Sequence, residues 1–311
     1  MTSGNPSNGG LLAAVTLGSN SFNLLLARPS ASGVPEVVAK HKRKVRLAEG
    51  LDAETGLSDA AFERGIDCLA WFGDILRQAQ PQRVQVLATA ALRVAANGDQ
   101  FRARAEPLLG YPIEVISGDA EAELIYQGMR ACTSVAGEAL VIDIGGASTE
   151  LVIGDAEQIH FKHSFELGCV LYTQRYFAEA VTEAGFEAVA EAVARLLAPQ
   201  LPQMTTFRWQ HCLGVSGTVR ALFELAPQLG WSQPVLTSEL LALVKARLCE
   251  DSEAVLALLD SERRPPFAAG VAILLSIFEL LNITELRQAG GALREGLLHR
   301  LQSDAYQAAD T

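Results

Sequence analysis

The chain has 311 residues, more than one compact domain usually contains, and suits two domains that each bury their own core. Hydrophobic residues make up 49% of the sequence and charged residues 20%, a composition that excludes extended disorder. The formal net charge of −11 argues against a nucleic-acid-binding protein but is compatible with an anionic small ligand.

The sequence predicts a cytoplasmic protein that does not enter a membrane. Residues 1–10 lack a basic residue and predict a disordered tail rather than a secretory leader. No apolar run reaches the roughly 20 residues needed to cross a bilayer. The five cysteines are odd in number and form no CxxC pair, so we expect reduced, buried thiols. His160 and His163 are expected on opposite faces of a strand, which argues against a metal site there.

The first half of the chain predicts an antiparallel meander followed by alternating helices and strands. The meander has strands at 11–17, 21–28 and 34–46, separated by small-residue turns. Ser58 is the predicted N-cap of an amphipathic helix that ends near residue 78. The elements that follow are a strand at 84–88, a helix at 98–109, a strand at 113–116 and a helix at 121–130.

The second half restarts the same order, with strands predicted at 139–144, 149–154 and 158–164. The later elements are helices at 168–178, 183–199, 218–228, 237–249, 252–260, 265–282 and 292–303, with strands at 212–215 and 285–289. The periodic pattern of apolar residues is interrupted near residues 133–138. We therefore predict two similar α/β lobes, residues 11–134 and 135–311, with a cleft between them.

An internal repeat connects the two halves. Residues 13–26 are echoed 127 positions later by residues 140–153, and each copy predicts a strand, a tight turn and a second strand. Two facing hairpins of this kind can grip a phosphate chain from both sides. The copies differ at the end of the first strand, where one has Thr16 and the other has Asp143.

The second hairpin has the chemistry of an anion site beside a cation site. Gly145 and Gly146 allow backbone N–H groups to approach an anion closely, and Ser148 adds a hydroxyl donor. Asp143 follows an apolar strand, where a carboxylate is costly unless it is hydrogen-bonded or binds a cation. Magnesium prefers oxygen ligands and keeps several waters, which suits Asp143 and, through water, Glu150.

One segment, residues 40–46, is rich in basic residues although the chain as a whole is acidic. Two interpretations stay open: an edge strand protected from aggregation by its charges, or a ledge that binds a polyanion. The cations of this ledge are Lys40, Lys42, Arg43, Lys44 and Arg46.

Further short motifs accompany residues 17–21 (LGSNS) and 143–151 (DIGGASTEL). They are residues 88–93 (ATAALR), 116–126 (ISGDAEAELIY), 167–170 (LGCV), 214–218 (GVSGT), 266–270 (PFAAG) and 291–296 (GALREG). In this pattern the chain resembles the exopolyphosphatase / guanosine pentaphosphate phosphohydrolase family over about residues 12–302. The resemblance implies an actin / hexokinase / Hsp70-type fold, which is two duplicated ribonuclease H-like lobes.

The resemblance also implies roles for individual residues. Glu121 matches the family's general base, and Arg93 matches its phosphate-binding arginine. Without the surrounding pattern, Glu121 would be read as a helix N-terminal charge and Arg93 as half of a surface ion pair. The expected phosphate contacts are Gly18, Ser19, Asn20, Ser21, Gly145, Gly146, Ala147, Ser148, Ser216, Gly217 and Thr218.

The chain departs from the family pattern at several positions. Family members usually carry Asp where Thr16 stands, Gly where Ala147 stands, Glu where Ala120 stands and, commonly, Arg where Glu123 stands. Thr16 supplies no negative charge, so its contact with a metal is expected to be weaker or to pass through water. Ala147 is harmless if its φ is negative. The sequence has no His-Asp dipeptide, so the C-terminal HD-type domain of longer members is expected to be absent.

The resemblance implies a hydrolase that uses Mg²⁺, or another divalent cation, to release the terminal phosphate of inorganic polyphosphate. Conversion of pppGpp to ppGpp is the alternative within the same chemistry. A non-catalytic sensor of polyphosphate or of a guanosine tetraphosphate-type alarmone is the rival from another class. The retained Glu121 and Arg93 favour catalysis. A homodimer is left open, and neither nucleic acid nor a membrane is expected as a partner.

Overall fold

The computed structural model describes residues 10–31, 33–52 and 54–307, with the backbone alone for residues 305–307. The predicted disordered tail lies outside this range except for Gly10. The strands are β1 (Leu12–Leu17), β2 (Ser21–Arg28), β3 (Glu36–Lys44), β4 (Leu51–Asp52), β5 (Gly56–Leu57), β6 (Arg83–Ala88), β7 (Glu114–Val115), β8 (Ala139–Ile144), β9 (Thr149–Gly154), β10 (Ile159–Phe165), β11 (His211–Gly214) and β12 (Arg287–Gln288). The helices are α1 (Asp59–Ala79), α2 (Ala90–Val94), α3 (Gly98–Leu109), α4 (Gly118–Cys132), α5 (Cys169–Tyr176), α6 (Glu183–Leu197), α7 (Leu201–Met204), α8 (Gly217–Leu225), α9 (Ser238–Glu250), α10 (Ser252–Ala257), α11 (Phe267–Leu281) and α12 (Leu293–Gln307).

The two large sheets have the same strand order. One runs β3-β2-β1-β6-β7 and the other runs β10-β9-β8-β11-β12. In each sheet the first three strands are antiparallel and the remaining pairs are parallel. This ribonuclease H-like arrangement, present twice, confirms the predicted fold class and the duplication read from the repeat.

The chain forms two compact units that do not follow the predicted boundary at residues 134 and 135. Unit 1 comprises the residues up to Ile116 together with those from Leu293 onward, and unit 2 comprises Ser117–Ala292. Helix α4 therefore belongs to unit 2 and helix α12 to unit 1. An amphipathic pattern shows that a helix has a buried face, but it does not show which sheet that face covers.

Strand β1, at the centre of the unit 1 sheet, is buried along its whole length and so on both faces of the sheet. Ala13, Val15 and Leu17 enter a hydrophobic core together with the buried face of α1. Ser58 caps α1 as predicted, since its side chain accepts a hydrogen bond from Ala61 N at 3.4 Å. Helix α12 packs on β1, β2 and β6 and covers the other face of this sheet.

In unit 2, helix α4 packs across β9 and β10, and the apolar helix α11 packs against α5, α6, α8 and α9. Two short helices, α2 and α7, were not predicted, because one turn of helix is too short to show a 3.6-residue period. Among the described residues, no helix has the combined length and apolarity that crossing a bilayer requires.

The five cysteines are all described and form no disulfide. Cys68, Cys169 and Cys212 are buried as expected. The prediction is wrong for Cys132, which is exposed near the end of α4, while Cys249 is half-buried.

Candidate functional site

In unit 2 the strand register places two carboxylates side by side. Asp143 on β8 lies opposite Glu150 on β9, and Glu150 lies opposite Ser164 on β10. Directly opposed residues share a face of the sheet, so the three form one row, here called the acidic row. Glu150 is only 2% exposed, and its Oε1 accepts hydrogen bonds from Ser148 Oγ at 2.6 Å and Ser164 Oγ at 2.7 Å. These two donors stabilise the buried carboxylate and fix its orientation.

The glycine-rich turn between β8 and β9 is held by the start of α5. Gly145 N donates to Ser148 O at 2.8 Å, and Cys169 N donates to Gly145 O at 3.0 Å. A Cβ on Gly168 would lie 2.2 Å from Ala147 Cα, so the backbone at Gly168 packs directly against the backbone of the glycine-rich turn. Ala147 does not have a positive φ, so the alanine that replaces the family's glycine is unstrained.

The turn at residues 216–218 follows β11, the parallel neighbour of β8. Val215 N donates to Ile142 O at 3.1 Å, which aligns the ends of the two strands. Ser216 is the N-cap of α8 and accepts from Val219 N at 3.2 Å. A Cβ on Gly270 would lie 2.5 Å from Thr218 Oγ1, which explains the glycine of the 266–270 motif. The N-terminus of α8 and the glycine-rich turn thus lie at the same edge of the sheet, and both can bind anions.

Glu121 lies in the first turn of α4 and is 6% exposed. Ser117 caps this helix, with its Oγ accepting from Ala120 N at 3.2 Å. The Glu121 backbone N–H donates to Ser117 O at 3.0 Å, as in an ordinary helical turn. Ala120, at the position where the resemblance implies a glutamate, therefore contributes its backbone N–H to the N-terminal cap beside Glu121.

Helix α4 lies on the face of the sheet that bears the acidic row. Lys162 on β10 forms an ion pair with Glu123 of α4. Lys162 lies opposite Val152, which is two residues from Glu150 and therefore on the same face of β9. Helix α4, whose first turn contains the buried Glu121, thus packs on the face of the unit 2 sheet that bears Asp143 and Glu150.

The corresponding row in unit 1 has a different chemistry. Thr16 on β1 lies opposite Asn23 on β2, which lies opposite Lys42 on β3, and we call these three the basic row. Thr16 and Asn23 stand 127 positions before Asp143 and Glu150 in the repeat. Where unit 2 has two carboxylates and a hydroxyl, unit 1 has a hydroxyl, an amide and an ammonium group.

The basic row is connected to helix α12. Asn23 Nδ2 is 3.5 Å from Thr16 Oγ1, and Arg294 Nη1 donates to Asn23 Oδ1 at 3.3 Å. Thr16 is 2% exposed, so its hydroxyl is held within the sheet.

The turn after β1 repeats the hydrogen bonding of its counterpart in unit 2. Gly18 N donates to Ser21 O at 3.1 Å, as Gly145 N does to Ser148 O. Ala48 N donates to Ser19 O and Arg46 N donates to Asn20 O, each at 2.9 Å. The predicted first phosphate-binding turn therefore has the same backbone design as the second.

Arg93 lies in the last turn of the short helix α2, which follows β6 in unit 1. Its Nη1 donates to Ile116 O at 3.0 Å, and the side chain is half-buried.

The predicted site residues are divided between the two units. Unit 1 contains Thr16, Gly18, Ser19, Asn20, Ser21, Arg93 and the basic segment 40–46, while unit 2 contains Glu121, Asp143, Gly145, Gly146, Ala147, Ser148, Glu150, Ser216, Gly217 and Thr218.

The predicted five-cation ledge is not one surface. Strand β3 is an edge strand, and Lys40, Lys42 and Lys44 alternate along it with residues of the opposite face. The Arg43 guanidinium lies 4.4 Å from the ring centroid of Trp71 on α1, on that opposite face. Arg46 follows β3 and has a φ of 56°, and its Nε lies 3.6 Å from Glu49 Oε1.

Sequence reasoning missed two residues of these rows, and also the arginine that contacts one of them. Asn23 could have been found, because the repeat pairs it with Glu150. Arg294 lies in a motif that was recognised without a role being assigned to it. Ser164 gave no signal, since its contact with Glu150 depends on the register of β10.

The acidic row has the donor chemistry of a magnesium site. Its possible ligands are oxygen atoms alone, and Asp143 and Glu150 are direct cross-strand neighbours. Among the described residues no group of three or more His, Cys, Asp or Glu side chains could hold a metal ion. A pair of carboxylates fits an ion that keeps several waters, as magnesium does, better than one that needs four protein ligands.

Comparison with known proteins gives a consistent result. The sequence model of the Ppx/GppA phosphatase family matches residues 27–304. A protein of Vibrio vulnificus strain YJ016 named guanosine-5'-triphosphate,3'-diphosphate pyrophosphatase is 42% identical over 303 residues, covering 96% of this chain and 61% of the relative. The protein of the same name from Vibrio parahaemolyticus is 42% identical over 300 residues, covering 96% and 60%. The chain therefore spans about three fifths of these relatives' length.

Solved structures share the fold. An exopolyphosphatase from Cytophaga hutchinsonii matches with a TM-score of 0.83 and 23% identity, covering 94% of this chain and 98% of that one. The Ppx/GppA family member from Aquifex aeolicus matches with a TM-score of 0.76 and 24% identity, covering 95% and 98%. With the family model matching most of its length, the chain belongs to the Ppx/GppA phosphatase family.

Proposed function

We propose that the chain is a phosphohydrolase that releases the terminal phosphate of a condensed phosphate, with Glu121 as the base that activates water. One observation supports the proposal: Glu121 is buried in the capped first turn of α4, the helix that packs on the sheet face bearing the acidic row. A carboxylate so placed can orient a water and accept its proton during in-line attack on phosphorus.

The other residues of the site would bind and neutralise the phosphate oxygens. Asp143 and Glu150 would hold a divalent cation such as Mg²⁺, which neutralises phosphate charge when bound. The amides of the glycine-rich turn and the N-terminus of α8 would donate hydrogen bonds to phosphate oxygens, while the Ser148 hydroxyl, which donates to Glu150, would orient that carboxylate. Arg93 would bind a phosphate oxygen through its planar guanidinium, which suits this ligand better than an ammonium group does.

Two candidate substrates are each supported by a different observation. The relatives that are 42% identical are named for guanosine-5'-triphosphate,3'-diphosphate, which supports pppGpp as the substrate. The three lysines on one face of β3 favour inorganic polyphosphate as the second candidate, because a line of cations suits a long polyanion. A cytoplasmic location and a homodimer stay predictions.

The test is phosphate release from pppGpp and from polyphosphate of defined length, with and without Mg²⁺, by wild type and Glu121→Gln. We expect Glu121→Gln to lower the turnover number by about 100-fold or more and to leave substrate binding nearly unchanged, because the amide keeps the shape but cannot accept the proton. If both proteins bind substrate tightly and neither releases phosphate, the chain is a sensor and the hydrolase proposal fails.

A further inference from the structure

We propose that Ser164 is a positioning residue that makes Glu150 a ligand through one oxygen only, so that the acidic row prefers Mg²⁺ to Ca²⁺. The inference rests on the proposed function, because it describes how the row of Asp143 and Glu150 would select its cation. It starts from a hydrogen bond that gave no signal in the sequence, between strand β10 and the buried carboxylate of Glu150.

Both hydroxyl donors of this site act on the same carboxylate oxygen. Ser148 Oγ lies 2.6 Å and Ser164 Oγ lies 2.7 Å from Glu150 Oε1. An ionised carboxylate only accepts hydrogen bonds, and each of its oxygens offers two lone pairs, so two donors occupy Oε1. A cation, or a water molecule bound to it, would then contact Glu150 through Oε2. The two hydroxyls thus oppose bidentate binding, in which one ion contacts both oxygens.

The restriction to one oxygen discriminates between two common divalent cations. Ca²⁺ takes about six to eight oxygen ligands and accepts a carboxylate through both oxygens. Mg²⁺ is smaller, requires an octahedral arrangement and keeps several of its waters, so one oxygen from a carboxylate suffices. Asp143 and a one-oxygen Glu150 therefore suit Mg²⁺ and deprive Ca²⁺ of a ligand that it could otherwise use.

Strand β10 is anchored on both sides of Ser164, so this hydroxyl is held firmly. The next residue, Phe165, is 3% exposed and fixes the strand on the opposite face. Lys162, two residues earlier and on the same face as Ser164, forms an ion pair with Glu123 of α4. The other donor, Ser148, belongs to the turn whose amides would bind phosphate. Ser164 is therefore the donor that can be removed without changing the proposed phosphate contacts.

The first experiment measures cation binding without substrate, by electron paramagnetic resonance of Mn²⁺ and its displacement by Mg²⁺ or Ca²⁺. Wild type is expected to bind Mg²⁺ more tightly than Ca²⁺, and Asp143→Asn should abolish Mn²⁺ binding, which assigns the ion to the acidic row. Ser164→Ala should weaken Mg²⁺ binding about tenfold, as expected when a metal ligand loses a hydrogen-bonding partner. It should weaken Ca²⁺ binding less than about twofold, because Oε1 regains a lone pair for bidentate binding.

Two further variants separate this role from a purely structural one. Ser164→Thr keeps the hydroxyl on a strand, where a β-branched side chain packs well, and should retain the wild-type cation preference. Ser276→Ala is the matched control: it removes another buried serine hydroxyl of unit 2, which donates to Ala272 O at 2.8 Å within α11. It should leave the dissociation constants of both cations unchanged. Melting temperatures of all variants identify any loss that comes from unfolding.

Three results would overturn the inference. They are equal losses of Mg²⁺ and Ca²⁺ binding in Ser164→Ala, a wild type that binds both cations equally, and Mn²⁺ binding that survives Asp143→Asn.

The outcome can be separated from that of the proposed function, because cation binding is measured without substrate. If wild type and Glu121→Gln release phosphate equally poorly while Ser164→Ala still loses its preference for Mg²⁺, the hydrolase proposal fails and the role of Ser164 stands. If wild type hydrolyses its substrate with Mg²⁺, and Ser164→Ala keeps both the cation preference and the Mg²⁺ concentration that gives half-maximal activity, the inference fails alone.

Discussion

At the residue scale, the two copies of the repeat have diverged at matched positions while keeping their backbone. Both turns close with the same hydrogen bond from a glycine N–H to a serine carbonyl. The side chains of the next row differ: Glu150 is held by two serine hydroxyls, whereas Asn23 is held by Arg294. A duplicated scaffold thus places two carboxylates in the row of unit 2 and neutral or positively charged groups in the row of unit 1, and the difference follows from a few substitutions.

The buried thiols give a prediction with a defined pH dependence. Burial raises the pKa of Cys68 from 9.0 to about 12 and also raises that of Cys212, because the thiolate would lose its hydration. Iodoacetamide reacts with thiolates, so raising the pH from about 7 to about 9 should speed the labelling of exposed Cys132 and leave Cys68 and Cys212 unmodified.

Mass spectrometry of peptides after timed labelling measures this prediction. Cys132→Ser should remove the fast phase, and a denaturant should make all thiols reactive. Rapid modification of Cys68 in the native protein at pH 8 would show that this thiol is not buried.

At the element scale, the docking of α4 on β10 explains a departure from the family pattern. Glu123 stands where the resemblance implies an arginine, and here it pairs with Lys162 across the two elements. We predict that Glu123→Arg alone lowers the free energy of unfolding by about 1 kcal/mol, because it places two cations together. The side chains are 42% and 34% exposed, so solvent screening keeps the effect small.

Urea denaturation of both single variants and of the double variant Glu123→Arg with Lys162→Glu measures this coupling. The double variant should recover most of the lost stability, since it reverses the pair without removing it. Strictly additive effects of the two substitutions would show that the ion pair contributes nothing to the docking of α4.

The elements that the sequence predicts well are those with a strong local pattern. The strands at 139–144 and 149–154 and the helix at 98–109 have the predicted bounds, because alternation, helical periodicity and turn residues agree there. Register was not predictable, because the pairing of Asn23 with Lys42 depends on contacts between strands. The division of the lysines and Arg43 between two faces follows from strand alternation alone and could have been predicted. The candidate site was therefore predicted as a set of residues, whereas its rows required coordinates.

At the scale of the whole molecule, the chain crosses twice between its two units. Helix α4 follows β7 of the unit 1 sheet but packs on the sheet of unit 2. Helix α12 follows β12 of the unit 2 sheet but packs on β1, β2 and β6 of unit 1. Each sheet is thus completed by the helix that follows the last strand of the other sheet, a relation that a boundary drawn along the sequence cannot express.

This connectivity predicts which fragments fold. Residues 117–292 contain all of unit 2, so this fragment should unfold cooperatively on heating. Residues 1–116 should not unfold cooperatively, because without α12 the apolar side chains of Leu12 and Ala14 on β1, fully buried in the intact chain, become exposed to solvent.

Joining residues 293–307 to the fragment 1–116 through a flexible linker should restore cooperative unfolding, measured by circular dichroism and by amide hydrogen exchange in β1. Joining α4, residues 118–132, is the matched control and should not restore it. Cooperative unfolding of residues 1–116 alone would show that α12 is dispensable for the fold of unit 1, and that its Arg294 contacts Asn23 without completing that fold.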